Sequence, residues 1–396
     1  MTIRQFDRVE GRKNESTASG STESPRTGSP FLLLFFLLFT GYWGVTATTV
    51  AVDPLDLYDW GRSPTLLRDY NRHNLEYLAA AASRAPVDTL LIGGSPSATF
   101  TSARLERYLP ETKRAFNFSM SGVRPLDRAI MTDLVLKNSP ARHILLTFDW
   151  IYAMPAEQMR GGFPAYLYDN NWLNDLRVVS PTVLRLLLGV VRGQPLALEN
   201  WDYLSQEELD DRKFERTQTE VNYERIKAAV IAQRDIIGLP SSKKCKDFSA
   251  LNTQLLPFAQ EISRQGRQLD VLIPPYSLAM YGVWENSPTR NELLDDRILS
   301  NLLEMRRCLV MGVEGLENVR VFAFDNETWM TGDLANFRDP AHLRNDEKLI
   351  EYILEAISAG RHVLTAENIG EYLAALRNNV LTHDPYNSRL GGHARH

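Results

Sequence analysis

The sequence predicts an α/β fold with a parallel sheet, and three observations carry that expectation. Apolar runs of four to six residues recur along the chain, several of them closed by Gly, Pro or a polar residue. Between them lie stretches whose apolar residues fall three to four apart. Alternation of strand-like and helix-like segments is the pattern of βαβ units. The composition, 396 residues with 44% hydrophobic and 23% charged, supports a sizeable core and excludes a collagen, a coiled-coil rod and a wholly disordered chain.

The chain opens with a leader, residues 1–30, whose stretch NESTASGSTESPRTGSP has no means of burying a core and reads as disordered. Phe31 to Val52 carries no charge, and its 22 residues would span roughly 33 Å as a helix, enough for a bilayer core. Residues 31–39 are apolar on every face, which argues against a buried core helix. An uncleaved membrane anchor is expected; a cleaved signal peptide is the alternative, with only a weak small-residue site at Thr49-Val50-Ala51. Arg26 and Arg62 flank the segment evenly, so the positive-inside rule gives little direction. A single N-terminal anchor ahead of a large domain usually leaves that domain outside the cytoplasm, and that orientation is adopted.

Five strands follow: 87–92 (VDTLLI), 114–118 (RAFNF), 143–148 (HILLTF), 270–273 (DVLI) and 319–324 (VRVFAF). Helices are predicted over 99–108, over 125–137 with Pro125 in the first turn, and over about 249–265 and 291–312. Residues about 151–245 break the rhythm. They hold an aromatic cluster, an apolar helix (TVLRLLLGVV) and a charged helical stretch that reads as a solvated face. The block is too long for a simple connection and reads as an inserted cap or lid. The domain thus runs from 53 to 382, and residues 383–396 form a polar tail.

Charge and cysteine content narrow the function. Lys and Arg number 44 against 49 Asp and Glu, a net charge of −5, which argues against non-specific nucleic-acid binding. Cys245 and Cys308 are too few for a disulfide scaffold or a Cys-rich zinc site. They are either a disulfide formed in an oxidising space or two buried thiols. No P-loop and no GxGxxG is present. Asp53, Asp56 and Asp59 read as a polar collar rather than a metal cluster, His73 and His143 lack partners at ligand spacing, and His393 and His396 lie in the tail. No cofactor and no metal is expected.

In a parallel α/β sheet, ligands bind beyond the carboxyl ends of the strands. Gly93-Gly94-Ser95 follows the first strand directly, with glycines for a tight turn and a serine at the opening of the next segment. Asp339-Pro340-Ala341-His342 lies late in the chain, ahead of a helical run. A carboxylate three residues before a histidine suits an imidazole oriented toward a serine hydroxyl, and serine needs such a base to act as nucleophile. Each motif alone is common; strand-to-helix turns favour Gly and Ser, and Asp often caps helices.

Taken together with Ser121-Gly122 after the second strand, the set resembles the SGNH (GDSL-like) hydrolase superfamily. In particular it resembles the membrane-anchored bacterial branch that includes the D-alanyl-lipoteichoic acid and alginate O-acetylation proteins. LLIGGSPSATF resembles the first block, FNFSMSG the second, DVLIPPYS the strand end before the late helices, NFRDPAHLRNDE the D-x-x-H block, and HVLTAENIGEYLAAL the C-terminal helix. The resemblance covers roughly 85–150 and 250–380. It implies a three-layer, flavodoxin-like α/β domain with Ser95 as nucleophile, His342 as base and Asp339 as its orienting carboxylate. Backbone N–H groups of Ser95 and Gly122 would form the oxyanion hole.

The resemblance further implies O-acyl or O-acetyl transfer to, or ester removal from, a cell-envelope or exported polysaccharide. A membrane-bound acyl-donor protein would be the partner, and the location a bacterial inner membrane with the domain facing the periplasm or exterior. One departure stands out: the third block should end in Asn, whereas this strand ends LLTFDW, with Asp149 nearest that place. An ionised carboxylate cannot donate a hydrogen bond, and Asn117 is a weak substitute. A catalytically weak scaffold or polysaccharide-binding protein is therefore the rival reading, and an intracellular esterase a third.

Overall fold

The structure, a computed structural model, describes residues 30–52, 87–168, 188, 192, 243–286, 298–339 and 341–383. The leader, Asp53, Asp56, Asp59, His73, most of the insertion and the tail with His393 and His396 lie outside the described residues. The first helix, α1 (Pro30–Val52), is long and apolar enough to cross a membrane. Its large apolar side chains from Phe31 to Trp43 are between 45% and 70% exposed, the surface of a helix suited to lipid rather than water.

The core is a sheet of six strands in the order β2-β1-β3-β4-β5-β8. Five are parallel: β1 (Thr89–Gly93), β2 (Ala115–Ser119), β3 (His143–Thr147), β4 (Gln268–Ile273) and β5 (Val319–Ala323). These match the five apolar runs of the sequence. A sheet covered on both faces needs apolar residues at successive positions, so its strands read as runs rather than alternations. Leu90 and Ile92 of β1 join one apolar cluster, and Leu91 between them joins a second. The same split divides Ile144 and Leu146 from Leu145, and Val271 and Ile273 from Leu272.

Helices close both faces. α2 (Ser102–Tyr108) follows β1 and adds Leu105 to the Leu91 cluster. α3 (Pro125–Asn138), α4 (Leu256–Arg264), α5 (Leu278–Asn286) and α6 (Ile298–Val313) all bury side chains in the Leu90 cluster. The assignment follows from handedness: the step from β1 to β2 runs one way across the sheet and the later steps run the other. Right-handed crossovers then place α2 on one face and α3, α4 and α6 on the opposite one. Sequence order therefore reverses at β1, and the crevice between the carboxyl ends of β1 and β3 is the switch point where ligands bind in such sheets.

Several elements differ from the sequence reading. α2 starts at Ser102 rather than 99, because Thr101 has extended backbone and caps the helix, its hydroxyl accepting from Arg104 N–H; Ser95–Ser97 forms a separate 3₁₀ turn. The helix expected over 249–265 starts at 249 as expected but carries a π turn, Leu251–Leu255, before α4. α5 follows the Pro274-Pro275 strand end and was not anticipated. The start of the expected insertion, 151–168, contributes Ile151, Tyr152, Phe163 and Tyr168 to the Leu90 cluster, so this part belongs to the core.

The late chain is also more elaborate. α7 (Thr328–Thr331) leads to a two-stranded antiparallel ladder, β6 (Phe337–Asp339) with β7 (His342–Leu343). α8 (Glu347–Ser358) then packs on the α2 face. β8 (Val363–Leu364) adds an antiparallel edge beside β5, and α9 (Ile369–Thr382) ends the described chain. Cys245 and Cys308 form a disulfide, with Cα atoms 5.3 Å apart, that ties the segment before α4 to α6.

Candidate active site

The site is built at the carboxyl end of β1. A side chain on Gly93 would collide with the Ser97 hydroxyl and reach Thr147 Oγ1 at 2.8 Å. One on Gly94 would lie 3.2 Å from Asp149 Oδ2. Both glycines thus allow close approach of neighbouring strands, and neither has the left-handed backbone that favours glycine. After them the chain turns sharply, with Ala98 N–H donating to Ser95 O at 3.2 Å.

The second strand locks this turn. Asn117, wholly buried on β2, donates through Nδ2 to Ser97 O (3.1 Å) and Phe100 O (2.9 Å), and its Oδ1 accepts from Ser119 N–H (2.9 Å). The hydroxyls of Ser97 and Ser119 lie 2.8 Å apart. Asn117 is therefore spent on the loop that carries Ser95. Gly122, in the turn after β2, has φ of 65°, a conformation that L side chains adopt at a cost. Its neighbour Ser121 accepts through its carbonyl from Arg160 Nη1 at 2.5 Å.

The partner of Ser95 comes from the far end of the domain. His342 opens β7, opposite Asp339 of β6 in the ladder register. Its Nε2 lies 2.7 Å from Ser95 Oγ, and both residues are half-buried. The two side chains are thus within hydrogen-bonding distance although 247 positions apart. The sequence reading placed Asp339 and His342 at one turn ahead of a helical run; the ladder register sets the two residues opposite each other shortly before α8.

Asp149 follows β3, next to the same crevice. Its Oδ2 lies 3.2 Å from Arg128 Nη2, and neither side chain is more than 4% exposed. Its Oδ1 accepts from Ile151 N–H at 3.1 Å, capping the turn Trp150–Ala153. Arg128 also donates to Thr147 O and lies over the Tyr152 ring, 5.3 Å from its centroid. Burial pushes the Tyr152 hydroxyl up to about 12, so it stays protonated there. Sequence reasoning did not single out Arg128; a lone arginine among apolar residues of an amphipathic helix was the available signal.

Two other buried charge clusters lie off this crevice. Asp270 on β4 accepts from His143 Nε2 (2.8 Å), Gln268 Nε2 (3.0 Å) and both Nε and Nη2 of Arg320 (2.8 Å each). His143, which the sequence left without a partner, finds one across the β3–β4 register. Beyond β5, Asp325 accepts from Tyr281 OH and Arg306 Nη1, both at 2.7 Å. Burial raises the Asp325 carboxyl above its ordinary range despite that cation.

Compared with family models, with curated proteins and with solved structures, the chain matches none.

Proposed function

We propose that this protein is a membrane-anchored serine acyl-ester enzyme of SGNH type acting outside the cytoplasm. The observation that carries the reading is the 2.7 Å contact between Ser95 Oγ and His342 Nε2 beside the sheet's switch point. In this mechanism His342 takes the hydroxyl proton as Ser95 Oγ attacks an ester carbonyl. The carbonyl oxygen becomes anionic, and backbone N–H groups of Ser95 and Gly122 are its donors. The intermediate then collapses, His342 returns the proton to the leaving alcohol, and Ser95 carries the acyl group. A sugar hydroxyl or water, deprotonated by His342, attacks that ester and frees the serine. Asp339 is assigned the orienting carboxylate.

The α1 segment supports anchoring by its length and exposed apolar surface, and the Cys245–Cys308 disulfide supports an oxidising compartment. On the resemblance of its motifs, the acceptor is a cell-envelope or exported polysaccharide, the donor a membrane-bound acyl-donor protein, and the location a bacterial inner membrane. A second reading, a polysaccharide-binding scaffold with weak catalysis, is favoured by one observation. Asn117 and Asp149 are both engaged elsewhere, so neither supplies a side-chain oxyanion donor. Loss of one such donor costs on the order of 10²–10³ in rate.

Treatment with a serine-reactive fluorophosphonate, followed by peptide mapping, tests the reading. Label is expected on Ser95, abolished by Ser95→Ala and strongly slowed by His342→Ala. A folded wild type that takes no label at Ser95 would favour the scaffold.

A further inference from the structure

Ser95 and His342 both stand on short segments outside the regular ladder of the parallel sheet: a 3₁₀ turn, and the two-residue strand β7. Some structure must hold these segments at hydrogen-bonding distance. Arg104 bridges them. From α2 its Nη1 donates to Thr99 O at 2.8 Å, in the loop that runs on from Ser95. The same nitrogen reaches Asn345 Oδ1 at 2.5 Å, three residues beyond His342. Its Nε donates to Glu347 Oε2 at 2.9 Å, and Nη2 lies 2.8 Å from that oxygen. The Arg104 side chain is 12% exposed.

We infer that Arg104 is a positioning residue that clasps the His342 segment to the Ser95 loop and so sets the geometry of the reacting pair. The inference rests on the reading of Ser95 and His342 as that pair. A guanidinium suits the task because its N–H groups diverge in one plane and meet three fixed acceptors at once; a lysine ammonium has no such fork. Glu347 is itself held in place, its Oε1 accepting from Tyr108 OH (2.8 Å) and Arg107 Nη1 (2.9 Å). The Tyr108 hydrogen bond, aided by Arg104, keeps the Glu347 carboxyl below its ordinary range against the opposing effect of burial. The clasp is thus charged at neutral pH. An apolar contact beneath it, with Phe100, Leu105 and Leu343 in one cluster, supplies cohesion without direction.

The test uses the full-length protein in detergent micelles, with Arg104→Lys and Glu347→Gln as variants. Hydrogen exchange is followed by mass spectrometry, with α4 on the opposite face as internal reference, and fluorophosphonate labelling of Ser95 is followed in time. Each variant is expected to accelerate exchange in 97–101 and 342–346 together while leaving α4 unchanged. Each is also expected to slow the maximal labelling rate by about 10- to 100-fold, with the concentration for half-maximal rate unchanged. That split separates misplacement of the pair from loss of the binding site. Exchange in 342–346 identical to wild type, or labelling at the wild-type rate, overturns the clasp. If Arg104→Lys does not fold, Glu347→Gln and Asn345→Ala, which each remove one acceptor, decide the matter by the same readouts. Wild type without label at Ser95, together with the expected exchange response, overturns the nucleophile reading and leaves the clasp standing.

Discussion

Asp149 and Arg128 form an ion pair, 3.2 Å between Oδ2 and Nη2, sealed beneath the loop that presents Ser95. The carboxylate at the end of β3 therefore does not face a reacting oxygen unopposed. Its charge is matched by a cation from α3, and its second oxygen caps a turn.

For Asp149→Asn the expected outcome is structural. Removing one member of a buried pair leaves the other charge unmatched and costs about 3–5 kcal/mol. Urea unfolding should shift by that amount, and hydrolysis of a small activated ester should not rise. A variant as stable as wild type with faster hydrolysis would mean that the carboxylate opposes the oxyanion after all.

Gly93→Ala should disable the site from beneath. The added methyl collides with the Ser97 hydroxyl, and even with that hydroxyl turned away it still meets Thr147 Oγ1 at 2.8 Å and Ser97 Cβ at 2.9 Å. Overpacking of this kind costs about 1–3 kcal/mol, and the Ser97–Ser119 hydroxyl contact should be lost with it. Unfolding midpoint and labelling rate at Ser95 should fall together. Gly122→Ala makes a useful contrast, since nothing crowds that position and only its φ of 65° resists the change.

The Asp270 cluster predicts an acid limb of stability. Burial alone would raise this carboxyl, but the hydrogen bonds from His143 and Arg320 hold it below the ordinary aspartate range. A carboxyl with a depressed folded value contributes stability that is complete above its unfolded value. That stability is lost as pH falls through the folded one. Urea midpoints taken from neutral pH down to about pH 3 should decline in wild type. In Asp270→Asn they should start lower and decline less. Parallel curves for the two proteins would show that Asp270 does not supply the limb.

Reduction of Cys245–Cys308 should destabilise the domain. The bond closes a separation of 63 residues, for which the chain-entropy model gives about 4 kcal/mol. Denatured, unreduced protein should show no thiol by quantitative labelling, and two after reduction. Free thiols in the unreduced sample would contradict the pairing.

The parts of this molecule that could be read in advance are those governed by local periodicity. Strands such as HILLTF and VRVFAF declare themselves because burial on both faces demands unbroken apolar residues. Gly93-Gly94-Ser95 was legible because turn chemistry is local. The hairpin under His342 was not, since Phe337–Asp339 and His342–Leu343 are too short to carry a period. Arg128, Arg104 and Asp270 were equally silent: each owes its role to an oppositely charged partner 21 to 243 positions distant. Periodicity records which face of a segment is covered; it does not record which charge meets which.

The Ser95–His342 contact also has a place in time. All five parallel strands precede His342 in the chain, so a ribosome completes them before the imidazole exists. At roughly 5–20 residues per second, the interval between the two residues lasts on the order of 12–50 s. Throughout it the serine is an ordinary alcohol, with no base at its side. On the proposed reading a nascent chain would be harmless to the esters around it, and it would become armed only when about its last seventh arrives.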